Sequence, residues 1–210
     1  MDTQIYREKG YNAYYIPHMT TFDKIVDNSL RSHRVINVGR LTKDKQQIML
    51  LDIWKEFNKK FPQNEYLLQI IGSGEEKENI ISYIEENKIK NVELIPHTSK
   101  IEEYYREAEL FVFTSKMEGF GMVLLEAMSY GIPCISFDCP SGPRDIINNE
   151  VNGFLVPCYD KSKFSNYIYK YVTSNQSIKE NFSRGAKETI IQWDNNEIIN
   201  KWVDVFRKIG

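Results

Sequence analysis

Cysteine is scarce. Cys134, Cys139 and Cys158 are the only three in 210 residues, and no two of them form a C-x-x-C pair. That count excludes a disulfide framework and a zinc site built from paired ligands, and it predicts free thiols in a reducing, cytoplasmic compartment. Long apolar runs are absent too. No stretch approaches the ~18 residues that a membrane-spanning helix requires, and the opening "MDTQIYREKG" lacks the apolar segment of a signal peptide. Nor is one sign of charge in excess: 27 Lys and Arg stand against 29 Asp and Glu, a formal net charge of −2. A nucleic-acid binder normally carries a basic stripe, so that class is excluded.

What the chain does hold is a 41% hydrophobic, 27% charged composition, enough apolar residue for one full core. Short apolar runs at 34–39, 66–72, 92–95, 110–115, 132–137 and 153–157 read as strands. They are apolar almost throughout, as strands of a parallel sheet covered on both faces must be. Between them, 44–61, 76–88, 100–108 and 121–131 place apolar residues at helical spacing, and after the last strand 161–173, 176–189 and 194–210 do the same. Strand-helix alternation of this length predicts an α/β fold: a doubly wound, Rossmann-like parallel sheet of about six strands with a helical C-terminal tail. Ligands of such folds sit at the carboxyl ends of the strands, so the loops after each strand are where chemistry is expected.

After the first strand comes "GRLTKDK", with Arg40 and Lys45 on the loop and the first helical turn. A forked donor and a point cation suit a diphosphate, though two solvated cations near a helix start would look the same. "GSGEEK" after the second strand lacks the third glycine of G-x-G-x-x-G, and no acidic residue ends the third strand, so a nicotinamide dinucleotide is excluded. Gly72 and Gly74 there serve equally well as plain turn residues or as points of backbone contact with a ligand.

The loop after the fourth strand is richest: "SKMEGFGMVLLEAMSYGIPCIS", residues 115–136. Gly119 and Gly121 let the backbone bend sharply. A helix starting near Gly121 leaves the amides of Met122 and Val123 unpaired at the positive end of its dipole, which is an anion site. Glu118 precedes that helix and Glu126 lies about a turn and a half into it, so the carboxylates flank a groove. Carboxylates accept hydrogen bonds from vicinal hydroxyls, and a ribose and a hexose joined by a diphosphate present two such sets. No nucleophile, base and orienting group stand together, so the catalytic residue is left unassigned, with Glu118 kept as a candidate.

These segments together resemble the family-4 retaining glycosyltransferases. "EGFGMVLLEAMSYGIPCIS" is similar to that family's E-x7-E motif, "VGRLTKDK" to its phosphate loop, "IIGSGEE" to its second-strand turn and "NGFLVP" to its last-strand motif, in order from about Val35 to Val156. The resemblance implies a GT-B fold, two Rossmann-like domains with a cleft between, of which this chain is the C-terminal, donor-binding half. On that reading residues 1–33 lead in from an N-terminal acceptor domain that is absent, 34–190 form the nucleotide-sugar-binding domain, and 191–210 form a helix crossing back, with Trp202, Val203 and Phe206 on it.

The resemblance also assigns roles. Arg40 and Lys45, with the amides of Met122 and Val123, hold the donor diphosphate. Glu118, Gly119, Phe120 and Gly121 shape the sugar pocket, Glu126 takes the ribose hydroxyls, and the base lies near His97 and Thr98. Pro96 and Gln46 stand where the family has glycines, and Ser141 and Pro143 read as a helix cap and a first-turn proline. The implied reaction moves a hexose from a nucleotide-diphosphate sugar, a UDP-sugar first, to a glycan or lipid-linked acceptor, with retention and without metal or other cofactor. Peripheral attachment to the inner face of a membrane is left open for the full protein. Without its partner domain the chain is expected to bind donor and transfer little. The alternatives are a module that binds a nucleotide sugar without turnover, and a sugar-nucleotide epimerase.

Overall fold

Six short runs of branched and aromatic residues become strands because helices cover both of their faces. The computed structural model describes residues 2–19, 32–193 and 195–209. In it β1 (Arg34–Val38), β2 (Leu67–Ile71), β3 (Val92–Ile95), β4 (Leu110–Phe113), β5 (Cys134–Phe137) and β6 (Gly153–Val156) are all parallel, in the order β3-β2-β1-β4-β5-β6. Alternate residues take opposite faces. Val35, Leu68, Leu110, Val112 and Ile135 meet one layer, built by α2 (Gln47–Lys60), α3 (Lys77–Glu86) and α7 (Lys161–Val172). Ile36, Phe111, Phe113 and Cys134 meet the other, built by α4 (Ile101–Glu107), α5 (Met122–Ser129) and α6 (Pro143–Ile146). The long α8 (Gln176–Gln192) contributes to both, with Phe182 in the first and Ala186 in the second. The strand order reverses between β1 and β4, and such a switch point opens a crevice where the two following loops part.

The predicted strands and helices all form, with ends shifted by a few residues (α8 runs on to Gln192) and three differences. The helix expected over 44–61 is broken: Lys43–Lys45 is a 3-10 turn, Gln46 takes a left-handed conformation (φ 55°), and α2 starts at Gln47. The cap of α6 is Gly142 (φ 104°) and not Ser141, which is itself left-handed (φ 63°); Pro143 does open the first turn. A side chain at Gly142 would run into the Phe120 carbonyl, 1.8 Å from its added Cβ, so the close approach decides the cap residue. Third, the segment expected to lead in carries a short helix, α1 (Asp2–Glu8); the part of that segment at 20–31 lies outside the described residues. At the other end α9 (Asn195–Ile209) leaves Trp202, Val203 and Phe206 exposed, with the Trp202 and Phe206 rings stacked 5.8 Å apart. Among the described residues no helix is long and apolar enough to cross a membrane.

Two features stiffen the frame, one at each end of the sheet. Gly72 and Gly74 bring the β2 loop against the β1 loop: a Cβ on them would lie 1.9 Å from the Gly39 carbonyl oxygen and 2.2 Å from that of Leu41. The Leu41 amide donates to the Ser73 carbonyl (3.0 Å) and the Glu76 amide to the Leu41 carbonyl (3.0 Å), so the glycines are packing requirements. At the opposite end of the sheet the fully buried Glu109 accepts from Lys179 (2.6 Å), from the Tyr66 hydroxyl (2.9 Å) and from the His33 amide (3.1 Å). Lys179 also lies over the Tyr66 and Tyr171 rings, pinning α8 to the foot of β4.

Candidate functional site

The loops leaving β1 and β4 are sewn together at their backbones. The Lys116 amide donates to the Asp44 carbonyl (2.8 Å), and the Thr114 hydroxyl donates to the carbonyl of Lys45 (3.1 Å) with that of Gln46 at 3.3 Å. Buried Leu41 anchors the first loop, and Gln47 clamps it by donating from Nε2 to the Arg40 carbonyl (2.9 Å). Lys45 is thereby held over the Phe113 ring (5.5 Å), with its ammonium in an ion pair with Glu118 Oε1. The Glu118 side chain is only 9% exposed, and its amide donates to the Pro140 carbonyl of the β5 loop (3.3 Å). Arg40 is exposed on the rim of the same loop.

Gly121 (φ 86°) turns the chain from Glu118 into α5 with no side chain capping the helix. The conformation favours glycine. The first amides of α5, those of Met122 and Val123, therefore have no side-chain cap, and the positive end of the helix dipole lies at them. Further along α5, half-buried Glu126 accepts from the Tyr105 hydroxyl of α4 (3.0 Å). Burial pushes the Glu126 carboxyl above its ordinary range, and the bond from Tyr105 works against that rise. Tyr105 is itself buried and stacked on Tyr130 (5.3 Å), and burial raises its phenol far enough to keep it a donor.

His97 and Thr98 stand after β3, at the sheet edge and separated from the Lys45–Glu118 pair by the β2 loop. The His97 amide donates to Ser73 Oγ (3.2 Å), and Thr98 Oγ1 accepts from the Lys100 amide (3.1 Å). The structure thus brings Lys45, Glu118, Gly119, Phe120, Gly121, Met122 and Val123 to the crevice, sets Glu126 behind it and leaves His97 and Thr98 along its far edge. Asn37 Oδ1 on β1, Gln46 Oε1 and Gln47 Oε1 at the start of α2, Ser115 Oγ after β4 and Gln69 Oε1 on β2 are buried without a partner among the described residues.

Several contributors were invisible in the sequence. Tyr105, Thr114 and Asn37 act from neighbouring elements, and nothing in their local patterns sets them apart from core residues. A cavity of about 180 Å³ continues the crevice past Gly119 and Phe120, bounded by Asp138, Ser141, Arg144 and Asp145. There Arg144 forks onto Asp138 (2.9 and 2.7 Å), while burial and Asp145 push the Tyr15 phenol up to about 12. Phe120 is gripped edge-on by His18 (5.1 Å) and Trp193 (5.2 Å). The signal available for the β5 loop was its Pro-Ser-Gly-Pro run, which promised a turn but not its partner. A wider groove of about 570 Å³ runs along α2 from Asp52 to Lys59 and contains none of the motif residues.

Comparison with known proteins adds to this geometry. The sequence model of the family described as Glycosyl transferases group 1 matches residues 20–189. The amylovoran biosynthesis glycosyltransferase AmsD of Erwinia amylovora is 33% identical over 204 residues, 92% of this chain and 56% of that protein. The poly(glycerol-phosphate) alpha-glucosyltransferase of Bacillus subtilis (strain 168) is 28% identical over 195 residues, 90% of this chain and 28% of that protein. A crystal structure of a TarM mutant from S. aureus, in complex with Fondaparinux, alpha-GlcNAc-glycerol and UDP, superposes with a TM-score of 0.83 at 26% identity, over 95% of this chain and 41% of that one. The chain thus spans little more than half the length of the first of these proteins, and less of the others.

Proposed function

This chain belongs to the Glycosyl transferases group 1 family, and on that premise we propose that it is the donor-binding half of a GT-B glycosyltransferase that moves a hexose from a nucleotide-diphosphate sugar with retention of configuration. One observation carries the reading: at the reversal of strand order, a cation (Lys45) and a carboxylate (Glu118) meet beside the uncapped start of α5. A diphosphate satisfies the first and the last of these, and a sugar hydroxyl satisfies the second. UDP is the first choice of nucleotide, because UDP is bound in the related TarM structure.

In this reading Lys45, Arg40 and the amides of Met122 and Val123 hold the diphosphate. Glu118 and the backbone of Gly119, Phe120 and Gly121 hold the hexose, Glu126 the ribose, and the loop at His97 and Thr98 the base. The bond from the anomeric carbon to the phosphate oxygen breaks as the acceptor oxygen bonds from the same face, and the departing phosphate oxygen takes the acceptor's proton. The cations and helix amides stabilise the charge that grows on the diphosphate. A glycan or lipid-linked acceptor fits the company of relatives named for polysaccharide and polyol-phosphate products, and the work belongs in the cytoplasm, at the inner face of a membrane when the acceptor is lipid-linked. Transfer needs a second wall to align the acceptor, so these 210 residues alone bind donor and transfer little.

A thermal-shift and calorimetric series with UDP, GDP and ADP sugars tests the proposal. One nucleotide stabilises the chain, and Lys45→Ala weakens its binding by about 1.5–3 kcal/mol, the range for a hydrogen bond to a charged group. Unchanged affinity in that variant removes Lys45 from the site. Binding of no nucleotide sugar at millimolar concentration removes the function.

A further inference from the structure

The cation proposed for the diphosphate and the carboxylate proposed for the hexose are paired with each other. The Lys45 ammonium pairs with Glu118 Oε1, and their side chains are 23% and 9% exposed. The main chains bearing them are joined through Lys116 to Asp44 and through Thr114 to Lys45, which keeps the two side chains within reach of each other. Water reaches so little of Glu118 that an anion there must find a donor within the protein or from a ligand.

We propose that the Lys45–Glu118 pair is a gate on recognition: Glu118 becomes available to a hexose hydroxyl only when a diphosphate has drawn Lys45 away. The inference rests on the function proposed above and concerns how that site discriminates. A bare nucleoside diphosphate takes the ammonium and leaves the Glu118 carboxylate with less neutralisation and a new anion nearby. Its binding is therefore opposed by the pair. The ammonium has three donors and can bridge phosphate and carboxylate, but bridging still brings two anions together, and that cost stands until hydroxyls donate to Glu118. A nucleotide sugar brings those hydroxyls with the same ligand. A free sugar meets a carboxylate already satisfied by Lys45 and gains little. The pair thus favours the complete donor over either of its halves, without any contact that only the complete donor makes.

Titration calorimetry with UDP and UDP-glucose on the wild type, Glu118→Gln, Lys45→Met and the double variant tests this. Thermal unfolding of each variant, run beforehand, confirms that it is folded. Glu118→Gln keeps the shape and releases Lys45, so bare UDP binds it about fivefold tighter than wild type, the effect of one released partly exposed pair, while UDP-glucose binds no tighter. In the Lys45→Met background the same substitution relieves only the repulsion between Glu118 and the diphosphate, so its gain in UDP affinity is smaller than in the wild type. If Glu118→Gln binds UDP no more tightly although Lys45→Met binds it more weakly, the diphosphate site stands and the gate is refuted. If Lys45→Met leaves UDP affinity untouched, the gate fails together with the site on which it rests.

Discussion

Replacing Gln46 by glycine should make this protein more stable. Gln46 follows the phosphate-loop lysine and caps α2 in the left-handed region (φ 55°, ψ 42°), without a side-chain capping bond. A residue with a Cβ in that region costs roughly 1–2 kcal/mol, and the extra freedom of glycine in the unfolded chain gives back about 0.5–1 kcal/mol of the relief. The difference is a gain of about 0.5–1 kcal/mol. A second contribution adds to it, because Gln46 Oε1 is buried without a hydrogen-bond partner among the described residues, a defect that costs about 1–3 kcal/mol when fully desolvated. Lost contacts of the Gln46 stem offset part of this second contribution. A net stabilisation of about 1 kcal/mol is expected, read as a rise in Tm of roughly 2–4 °C for a chain of this size. Urea unfolding of Gln46→Gly beside Gln46→Ala separates the two: alanine removes the orphaned oxygen and keeps the strain, so glycine should exceed it by about 0.5–1 kcal/mol. A glycine variant no more stable than the alanine variant would refute the claim that strain is stored there.

Lys179→Met should cost about 3–5 kcal/mol in urea unfolding, since it strands a fully buried carboxylate; adding Glu109→Gln should restore a large part, and additive losses would count against the pair. Nucleotide affinity should fall on acidification at a higher pH than an ordinary carboxylate near ~4.3 would dictate, because burial raises the Glu126 carboxyl and only its ionised form accepts fully. The sign for folding is the reverse: a carboxyl raised in the folded state adds stability as pH falls through its pKa and loses it as pH rises. Tyr105→Phe removes the bond that opposes the rise and should move the binding transition to still higher pH; calorimetry from pH 4 to 8 that finds no movement would sever Tyr105 from the site.

The sheet was legible because its strands are covered on both faces and leave unbroken apolar runs such as "LFVF" and "CISF". The helical break at Gln46 was not. Apolar spacing continues across it, and the turn is held by the Thr114 hydroxyl, which reaches in from the loop after β4, 69 residues on from Lys45. The glutamates and the phosphate-loop cations could be marked from their motifs, but pairing Lys45 with Glu118 requires β1 and β4 to be neighbours, which alternation of strands and helices alone does not specify. Ser141 looked like a cap because serine commonly is one; the position went to Gly142 through a backbone approach that only tertiary packing creates. Tyr105 read as one more apolar-face residue of "IEEYYRE", and its hydroxyl acquires meaning only once α5 lies against α4.

The grip of Trp193 on Phe120 gives the protein a built-in optical reporter. Its three tryptophans occupy three solvent regimes: Trp54 is sealed in the core, Trp193 is 8% exposed at the end of α8, and Trp202 is 46% exposed on α9. Their emission should therefore spread from blue to red, and only the middle component touches the glycine loop that carries Glu118. A ligand that reshapes that loop changes the surroundings of one indole and leaves the other two as internal references, so occupancy can be followed by fluorescence in real time with no label attached.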